Sequence, residues 1–172
     1  VEVGYRGRHT GGYKGEYYFL PIGSLQRLKA RLSQKKIAVM INGKEWLGNE
    51  TELAKNIELC STYIDTVRLA VDPTNIDVFL PLVRVLKETR LTVCINAMYA
   101  HTLVDDPDLL RKLALRCDDA DVLYLVDSFG SLMPSEVAGL IETTRSVRSD
   151  LMIGFHGHNN LELAFANSIS AV

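Results

Sequence analysis

The sequence is poor in cysteine and tryptophan and has no strong excess of either charge. It contains three cysteines, one tryptophan, 19 basic and 21 acidic residues, with a net charge of -2. Cys60, Cys94 and Cys117 are far apart and form no CxxC pair, which predicts reduced thiols in a cytoplasmic protein. The mild acidic balance argues against a nucleic-acid partner, because such a partner requires a basic stripe.

Long apolar runs are also missing from the sequence. None approaches the roughly 20 residues that a membrane helix requires, so we expect no membrane partner. The chain has 172 residues, of which 47% are hydrophobic. That is enough for one domain with a substantial core, and we treat 1–172 as a single domain.

Short apolar strands alternate with amphipathic helices along the chain. The predicted strands cover 1–6, 36–42, 66–71, 91–98, 121–128 and 151–158. The predicted helices cover 24–32, with Ser24 as N-cap, and 50–60, 75–89, 107–116, 134–145 and 161 onward. The tyrosine-rich segment 7–21 is predicted to be a flexible lid or surface loop. Strict alternation of this kind implies parallel strands covered by helices.

The two faces of the predicted strands differ in polarity, because residues two apart share a face. Most strands have one aliphatic face and one smaller or more polar face, which carries Arg68 in one strand and Asn96 in another. An open, doubly covered sheet should be apolar on both faces, whereas a barrel interior can carry polar groups near its mouth. The pattern therefore favours an α/β fold of the TIM (β/α)8 type, with about strands 2 to 7 of eight present. We expect this chain to be a fragment of a longer catalytic domain.

The most specific motif is the sequence Gly-Phe-His-Gly-His-Asn-Asn over 154–160. His156 and His158 are two residues apart on a strand and should project from the same face. Neutral imidazoles at that spacing can take adjacent positions around one metal ion. The alternative is a hydrogen-bonded histidine pair at a strand end; the position at the end of a helix-covered strand favours metal binding. An HxH motif of the amidohydrolase type is disfavoured, because there it lies on the first strand.

A second motif ends the strand over 121–128 with Asp127-Ser128-Phe129-Gly130. A hydroxyl and backbone N–H groups at such a strand end can bind a carboxylate or an enolate oxygen. The alternative is a plain strand-to-helix turn in which Asp127 accepts hydrogen bonds from backbone amides. The residues alone leave both open, and we retain Asp127 and Ser128 as candidates for substrate binding.

Three further polar residues, Arg6, Arg68 and Asn96, lie on the inward phase of their strands. A buried guanidinium needs an anionic partner, which could be a substrate carboxylate or, for Arg68, the side chain of Glu2. We prefer the structural role for Arg68 and the substrate role for Arg6. Arg6 is kept as a catalytic candidate, and Arg68 and Asn96 as substrate-binding candidates. His101, which follows a strand end, is not taken as a site residue.

The segments 154–161 and 166–172 closely resemble the seventh-strand signature of the pyruvate-aldolase and 3-hydroxy-3-methylglutaryl-CoA lyase superfamily, among which the 4-hydroxy-2-oxovalerate aldolases are most similar. Segment 122–133 resembles the sixth strand of that group, segment 67–70 the fourth, and segment 2–4 the end of the second. The resemblance follows the whole chain in order, but only the HxH and Asp-Ser segments are specific. It implies a (β/α)8 barrel.

The resemblance also implies the chemistry. His156 and His158 would bind a divalent metal, Mn²⁺ or Mg²⁺ with Zn²⁺ as a further option, and Ser128 would help to hold the carboxylate of a 2-oxo acid as a catalytic residue. The metal would stabilise the enolate formed when a carbon–carbon bond is made or broken. The small-molecule partners implied are a 2-oxo acid and an aldehyde, and assembly as a homo-oligomer stays open.

Two other functions stay open from the sequence. One is a Claisen-type acyl transfer from acetyl-CoA, as in relatives of isopropylmalate and homocitrate synthases, which share the barrel and the ligands. The other is a barrel without catalytic activity that no longer binds metal. Release of pyruvate from a 4-hydroxy-2-oxo acid would indicate the aldolase, and release of CoA would indicate acyl transfer. Absence of bound metal in the full-length protein would indicate the non-catalytic barrel.

Overall fold

Strands and helices alternate along the chain in the computed structural model, which describes residues 1–9 and 11–172. The strands are β1 (Glu2–Tyr5), β2 (Ala38–Asn42), β3 (Thr66–Val71), β4 (Thr92–Ala97), β5 (Val122–Asp127) and β6 (Met152–Gly157). The α-helices are α1 (Glu16–Phe19), α2 (Ile22–Arg31), α3 (Glu50–Glu58), α4 (Ile76–Lys87), α5 (His101–Asp105), α6 (Pro107–Arg116), α7 (Pro134–Val147) and α8 (Ala164–Ser170). Short 3₁₀ turns cover Gly43–Glu45 and Pro73–Asn75. The strand order in the sheet is β1-β2-β3-β4-β5-β6.

The chain divides into two compact units. The first unit comprises Val1–Ala70 and Val78–Cys94, and the second comprises Val71–Asp77 and Ile95–Val172. In the first unit, β1 pairs with β2 and β2 with β3, all parallel. β3 alternates strictly between buried and half-buried residues, as expected for a strand with one fully covered face.

The second unit contains the parallel pair β5 and β6, in which Tyr124 is aligned with Gly154 and Val126 with His156. α6 begins where the sequence provides an N-cap: the Asp106 carboxylate accepts a hydrogen bond from the Leu109 N–H at 3.0 Å, and proline follows at the first helical position. α7 buries one apolar side, which includes Val137, Leu140 and Ile141. Burial of this side is what stabilises a helix of this length.

The predicted strands and most predicted helices are confirmed, with α6 matching its predicted bounds. Two short helices, α1 and α5, were not predicted. α1 lies inside the predicted loop over 7–21, of which Thr10 lies outside the described residues, and its residue Phe19 is buried. The loop prediction is therefore wrong for Glu16–Phe19, where burial of an apolar side chain stabilises a helical turn.

The predicted N-cap of α2 is also wrong. α2 begins at Ile22, after Pro21. Ser24 lies inside the helix, where its hydroxyl donates a hydrogen bond to the Glu16 carboxylate. An N-cap serine would accept a hydrogen bond from a backbone N–H group of its helix. Ser24 instead donates its hydroxyl hydrogen to the side chain of Glu16 on α1.

The three cysteines are free, as predicted from their number and spacing, and all three are buried. Burial raises the pKa of the Cys117 thiol to about 12, and burial also raises the pKa of Cys60. Both side chains are therefore thiols rather than thiolates at neutral pH, and they pack in the apolar core.

No helix among the residues that the structure describes combines the length and the apolar character required to cross a bilayer.

Candidate metal and substrate site

The carboxyl ends of β5 and β6 bring two of the predicted motifs together. The strands are parallel and in register, with Asp127 aligned with Gly157. The Asp-Ser motif therefore lies beside the HxH motif, as residues at the same end of neighbouring parallel strands must. In α/β barrels this end of the strands carries the functional groups.

The rings of His156 and His158 lie close together. Their centroids are 4.9 Å apart and the ring planes are inclined by 34°. His156 is half-buried near the end of β6, and His158 is exposed just beyond it. The i, i+2 spacing therefore places two imidazoles side by side, as the alternation of a strand predicts.

The orientation of His158 is determined by the neighbouring strand. Its Nδ1 atom is 2.7 Å from the carbonyl oxygen of Asp127. Because a carbonyl oxygen can only accept, we assign the hydrogen to Nδ1. Nε2 then carries the lone pair, which is the arrangement found in metal-bound histidines whose other ring nitrogen donates to a carbonyl group.

Asp127 holds the turn that follows β5. It is 1% exposed, and its carboxylate accepts hydrogen bonds from the N–H groups of Ser131 at 3.0 Å and Leu132 at 3.2 Å. These bonds favour the turn-stabilising role over direct substrate contact. Gly130, in the same turn, has a φ of 58°, and an added Cβ would lie 2.8 Å from the carbonyl oxygen of His158. Only glycine fits both demands.

Ser128 is half-buried in the same turn. Its Oγ atom accepts a hydrogen bond from the backbone N–H of Tyr99 at 2.9 Å. With its oxygen engaged as an acceptor, the hydroxyl can donate its hydrogen to a ligand oxygen. Tyr99, which follows β4, thereby orients the hydroxyl that the sequence singled out.

Asn167 supports the turn from α8, and the sequence interpretation did not include it. It is 1% exposed, and its Nδ2 donates to the carbonyl oxygen of Leu132 at 2.8 Å. Its Oδ1 atom is buried and has no partner among the described residues. The sequence could have indicated Asn167 as a polar side chain on the buried side of a helix. It could not indicate the partner, because Leu132 is 35 residues away along the chain.

Gly154 makes room for an aromatic ring. An added Cβ at this position would come within 2.4 Å of the Tyr124 ring, and the two residues are aligned in the β5–β6 pair. Tyr124 therefore lies over the strand that carries His156.

The remaining predicted site residues have different surroundings. Asn96, in the second unit, is completely buried on β4. Arg6, in the first unit, is 7% exposed and donates to the carbonyl oxygens of Phe19 at 3.0 Å, Leu20 at 2.7 Å and Asn56 at 3.2 Å, and to Oδ1 of Asn56 at 3.0 Å. These bonds favour a structural role for Arg6.

Arg68, also in the first unit, pairs with the Glu2 carboxylate at 2.6 Å. The sequence had offered this ion pair as the alternative to substrate binding, and the structure confirms that the pair forms. Contact of Arg6, Arg68 or Asn96 with a substrate stays a prediction.

A divalent metal would fit His156 and His158 as two of its ligands. Adjacent imidazoles, one of them held with Nε2 as the acceptor nitrogen, are a suitable partial donor set for Mn²⁺, Mg²⁺ or Zn²⁺. Among the residues described, no group of three or more His, Cys, Asp and Glu side chains is arranged to hold an ion. The other coordination positions would need water, substrate or further ligands.

Comparison with curated proteins identifies two kinds of relative. An oxaloacetate decarboxylase from Mycobacterium tuberculosis is 33% identical over 119 residues, which is 68% of this chain and 34% of the relative. A 4-hydroxy-2-oxovalerate aldolase from Bacillus cereus is 30% identical over 177 residues, which is 100% of this chain and 49% of the relative. The chain thus spans half or less of the length of these relatives. No protein-family model matches it.

Comparison with solved structures supports the same grouping. The N-terminal domain of a candidate aldolase from Bacteroides vulgatus superposes with a TM-score of 0.88 and 35% identity, over 99% of this chain and 56% of that one. The carboxyl transferase domain of Rhizobium etli pyruvate carboxylase gives a TM-score of 0.74 at 16% identity, over 88% of this chain and 28% of that one, and shows the fold alone. The predicted α/β fold, part of a TIM barrel, is confirmed. The chain is accordingly related to the pyruvate-aldolase and 3-hydroxy-3-methylglutaryl-CoA lyase superfamily, as its HxH and Asp-Ser segments predicted.

Proposed function

We propose that the protein containing this chain is a carbon–carbon lyase that cleaves or forms a bond next to a 2-oxo acid, with His156 and His158 holding a divalent cation. The observation that carries the proposal is the bond from His158 Nδ1 to the Asp127 carbonyl oxygen, 2.7 Å long, which presents Nε2 as a ligand beside the His156 ring. When bound, Mn²⁺, Mg²⁺ or Zn²⁺ would act as a Lewis acid toward the 2-oxo group.

Ser128 is the residue that we propose to contact the substrate. Its hydroxyl accepts from the Tyr99 N–H and can donate to a carboxylate or an enolate oxygen. A donor held in place by a backbone hydrogen bond needs no reorganisation when charge develops on that oxygen. Asp127 would act indirectly, by holding the turn on which Ser128 lies.

The reaction proposed first is aldol cleavage of a 4-hydroxy-2-oxo acid, the type that the name of the Bacillus cereus relative indicates. The C3–C4 bond breaks, and its electron pair forms the C2–C3 double bond of the enolate. The proton of the C4 hydroxyl leaves to a base, and an aldehyde departs. Protonation of the enolate at C3 then gives the 2-oxo acid, and the reverse direction is the condensation.

A second candidate reaction is decarboxylation, which the 33% identity to oxaloacetate decarboxylase favours. In oxaloacetate the C3–carboxylate bond breaks, CO₂ leaves, and the electron pair forms the same kind of enolate. Ser128 would have the same role in both reactions. The two candidates therefore differ in the group that leaves from C3.

The metal proposal is tested on the full-length protein by elemental analysis of the wild type and of the His156→Ala/His158→Ala double variant. We expect the double variant to bind divalent metal at least about tenfold more weakly, because both imidazole ligands are gone. His9→Ala is the matched control, since His9 is an exposed histidine in the first unit that stacks on Phe19. Equal metal content in all three proteins would refute the assignment of the ligands.

The reaction is tested with the same proteins by following three products. Pyruvate from a 4-hydroxy-2-oxo acid indicates aldolase activity, CO₂ from oxaloacetate indicates decarboxylase activity, and CoA from acetyl-CoA with a 2-oxo acid indicates acyl transfer. Loss of activity in the double variant but not in His9→Ala is expected. Absence of both pyruvate and CO₂ in a metal-loaded protein, with or without release of CoA, would contradict the proposal.

A further inference from the structure

Three aromatic rings lie beside Ser128 in the second unit. The ring centroids of Tyr99 and Phe129 are 5.8 Å apart, those of His101 and Phe129 5.1 Å, and those of Tyr99 and His101 6.5 Å. These separations are typical of interacting aromatic side chains. We refer to Tyr99, His101 and Phe129 as the aromatic cluster.

The aromatic cluster is tied to Ser128 from two sides. Phe129 is the next residue in the chain, and Tyr99 donates its backbone N–H to the Ser128 hydroxyl at 2.9 Å. A ligand bound at the Ser128 hydroxyl would therefore lie at the same strand ends that carry the residues of the aromatic cluster. The position follows from connectivity and one hydrogen bond.

Tyr99 has an unfavourable backbone conformation. Its φ is 58°, in the left-handed region that bulky residues rarely adopt. Such strain persists only where the surrounding structure imposes it, and it concentrates at binding and catalytic sites. Here the strained residue both orients Ser128 and supplies one ring of the cluster.

The other two members of the aromatic cluster, Phe129 and His101, differ in their exposure and hydrogen bonding. Phe129 is 52% exposed, so its side chain is accessible to a ligand. His101 Nδ1 is buried and has no hydrogen-bond partner among the described residues, which is an unfavourable state for a polar atom. A strained tyrosine, an accessible phenyl ring and a histidine with an unsatisfied ring nitrogen thus lie together in one cluster.

We propose that the aromatic cluster is a subsite for an aromatic substituent on C4 of the 2-oxo acid substrate. The inference rests on the proposed function, in which Ser128 holds the carboxylate end of that substrate. The exposed Phe129 ring offers a flat apolar surface, and an aromatic group stacks on such a surface better than an alkyl chain does. The subsite thus assigns the substrate class: 4-aryl-4-hydroxy-2-oxo acids, cleaved to an aromatic aldehyde.

The test uses two ligands that cannot be cleaved, because neither has a C4 hydroxyl: 2-oxo-4-phenylbutanoate and 2-oxopentanoate. Binding of each to the full-length protein is measured by calorimetry. We expect the wild type to prefer the phenyl ligand by about tenfold or more, from stacking and apolar burial. Phe129→Ala should reduce that preference at least about threefold, and Phe129→Leu, which keeps apolar bulk without the ring, should reduce it by an intermediate amount.

Phe165→Ala is the matched control, because Phe165 is a phenylalanine of the same unit that is 78% exposed on α8. It should leave the preference unchanged. Circular dichroism is used to check that each variant is folded. We expect all of them to fold, because Phe129 and Phe165 are exposed.

The outcomes separate the subsite from the proposed function. Equal preferences in the wild type, Phe129→Ala and Phe165→Ala overturn the subsite, even where pyruvate is still released from a 4-hydroxy-2-oxo acid. A preference that depends on Phe129 in a protein that releases no pyruvate supports the subsite and contradicts the lyase reaction. Failure of both ligands to bind overturns the subsite as well.

Discussion

Several polar side chains of the two compact units differ in how completely their nitrogen and oxygen atoms are hydrogen-bonded among the described residues. In the first unit, Arg6 binds the carbonyl oxygens of Phe19 and Leu20, and Arg68 pairs with Glu2 at 2.6 Å. In the second unit, His158 is exposed and the Nδ1 atom of His101 has no partner among the described residues.

This difference distinguishes residues that stabilise the fold from residues that are able to bind a ligand. A buried guanidinium with several acceptors stabilises the segments that supply them, and removing it is unfavourable because those acceptors lose their partner. Ring nitrogens and hydroxyls that remain able to bind a ligand contribute little to the folded state. Charged residues on the inner side of a strand are therefore weak indicators of catalysis until their partners are known.

The largest effect that would test this contrast is expected for Arg6→Met. The variant keeps the apolar stem but leaves the buried carbonyl oxygens of Phe19 and Leu20 without a donor. We expect a loss of about 3 kcal/mol in the free energy of unfolding, measured by urea denaturation. Arg31→Met, at an exposed position on α2, should change it by less than about 0.5 kcal/mol.

The opposite result would restore the catalytic role predicted for Arg6. A variant of near wild-type stability that has lost pyruvate release would place the guanidinium in the reaction. Activity that falls only in proportion to the unfolded fraction would keep Arg6 in the scaffold.

A smaller effect is expected for Asn167→Ala in the second unit. The Leu132 carbonyl oxygen loses its 2.8 Å hydrogen bond, but the unpartnered Oδ1 of Asn167 is removed as well. The net loss should be about 1 to 2 kcal/mol in the free energy of unfolding. Because Asn167 holds the turn that carries Ser128, kcat should fall more than KM rises.

Ser168→Ala is the control for Asn167, since Ser168 is the next residue of α8 and is exposed, with its hydroxyl bonded to the Ala164 carbonyl oxygen. If both variants lower kcat equally, the effect belongs to α8 as a whole and the positioning role of Asn167 is wrong.

The smallest effect concerns pH and the first unit. The Ile37 N–H, bonded to the Asp65 carboxylate at 2.8 Å, and the Lys29 ammonium lower the pKa of Asp65. Because the pKa is lower in the folded state, Asp65 stabilises the fold above its unfolded pKa of about 3.9. This stability is lost as the pH falls through the folded-state value.

Asp65→Asn should therefore lower the free energy of unfolding by about 1 kcal/mol at neutral pH, since the partly exposed pair is screened by solvent. The difference from the wild type should shrink as the pH falls from the unfolded pKa through the lowered folded-state pKa of Asp65. Urea denaturation at several pH values measures both. Asp108→Asn, whose carboxylate is 92% exposed, is the control, and a pH-independent difference for Asp65→Asn would contradict the role of ionisation.

Features that depend on neighbouring residues were predicted from the sequence. α6 follows from Asp106 and the proline after it, and the side-by-side histidines follow from the two-residue repeat of a strand. α1 and α5 have only four and five residues, too short for a periodic signal. In α1 the bond from the Gly7 N–H to the Tyr18 carbonyl oxygen at 2.9 Å, with burial of Phe19, stabilises the turn.

The sequence by itself determined the alternation of strands and helices, the shared side of His156 and His158, and the presence of Ser128 at a strand end. Only the tertiary structure decided how these groups are held. The bonds from His158 to Asp127, from Tyr99 to Ser128 and from Asn167 to Leu132 join residues 31, 29 and 35 positions apart. Such bonds depend on strand register and helix packing, which bring distant segments within 3 Å of one another.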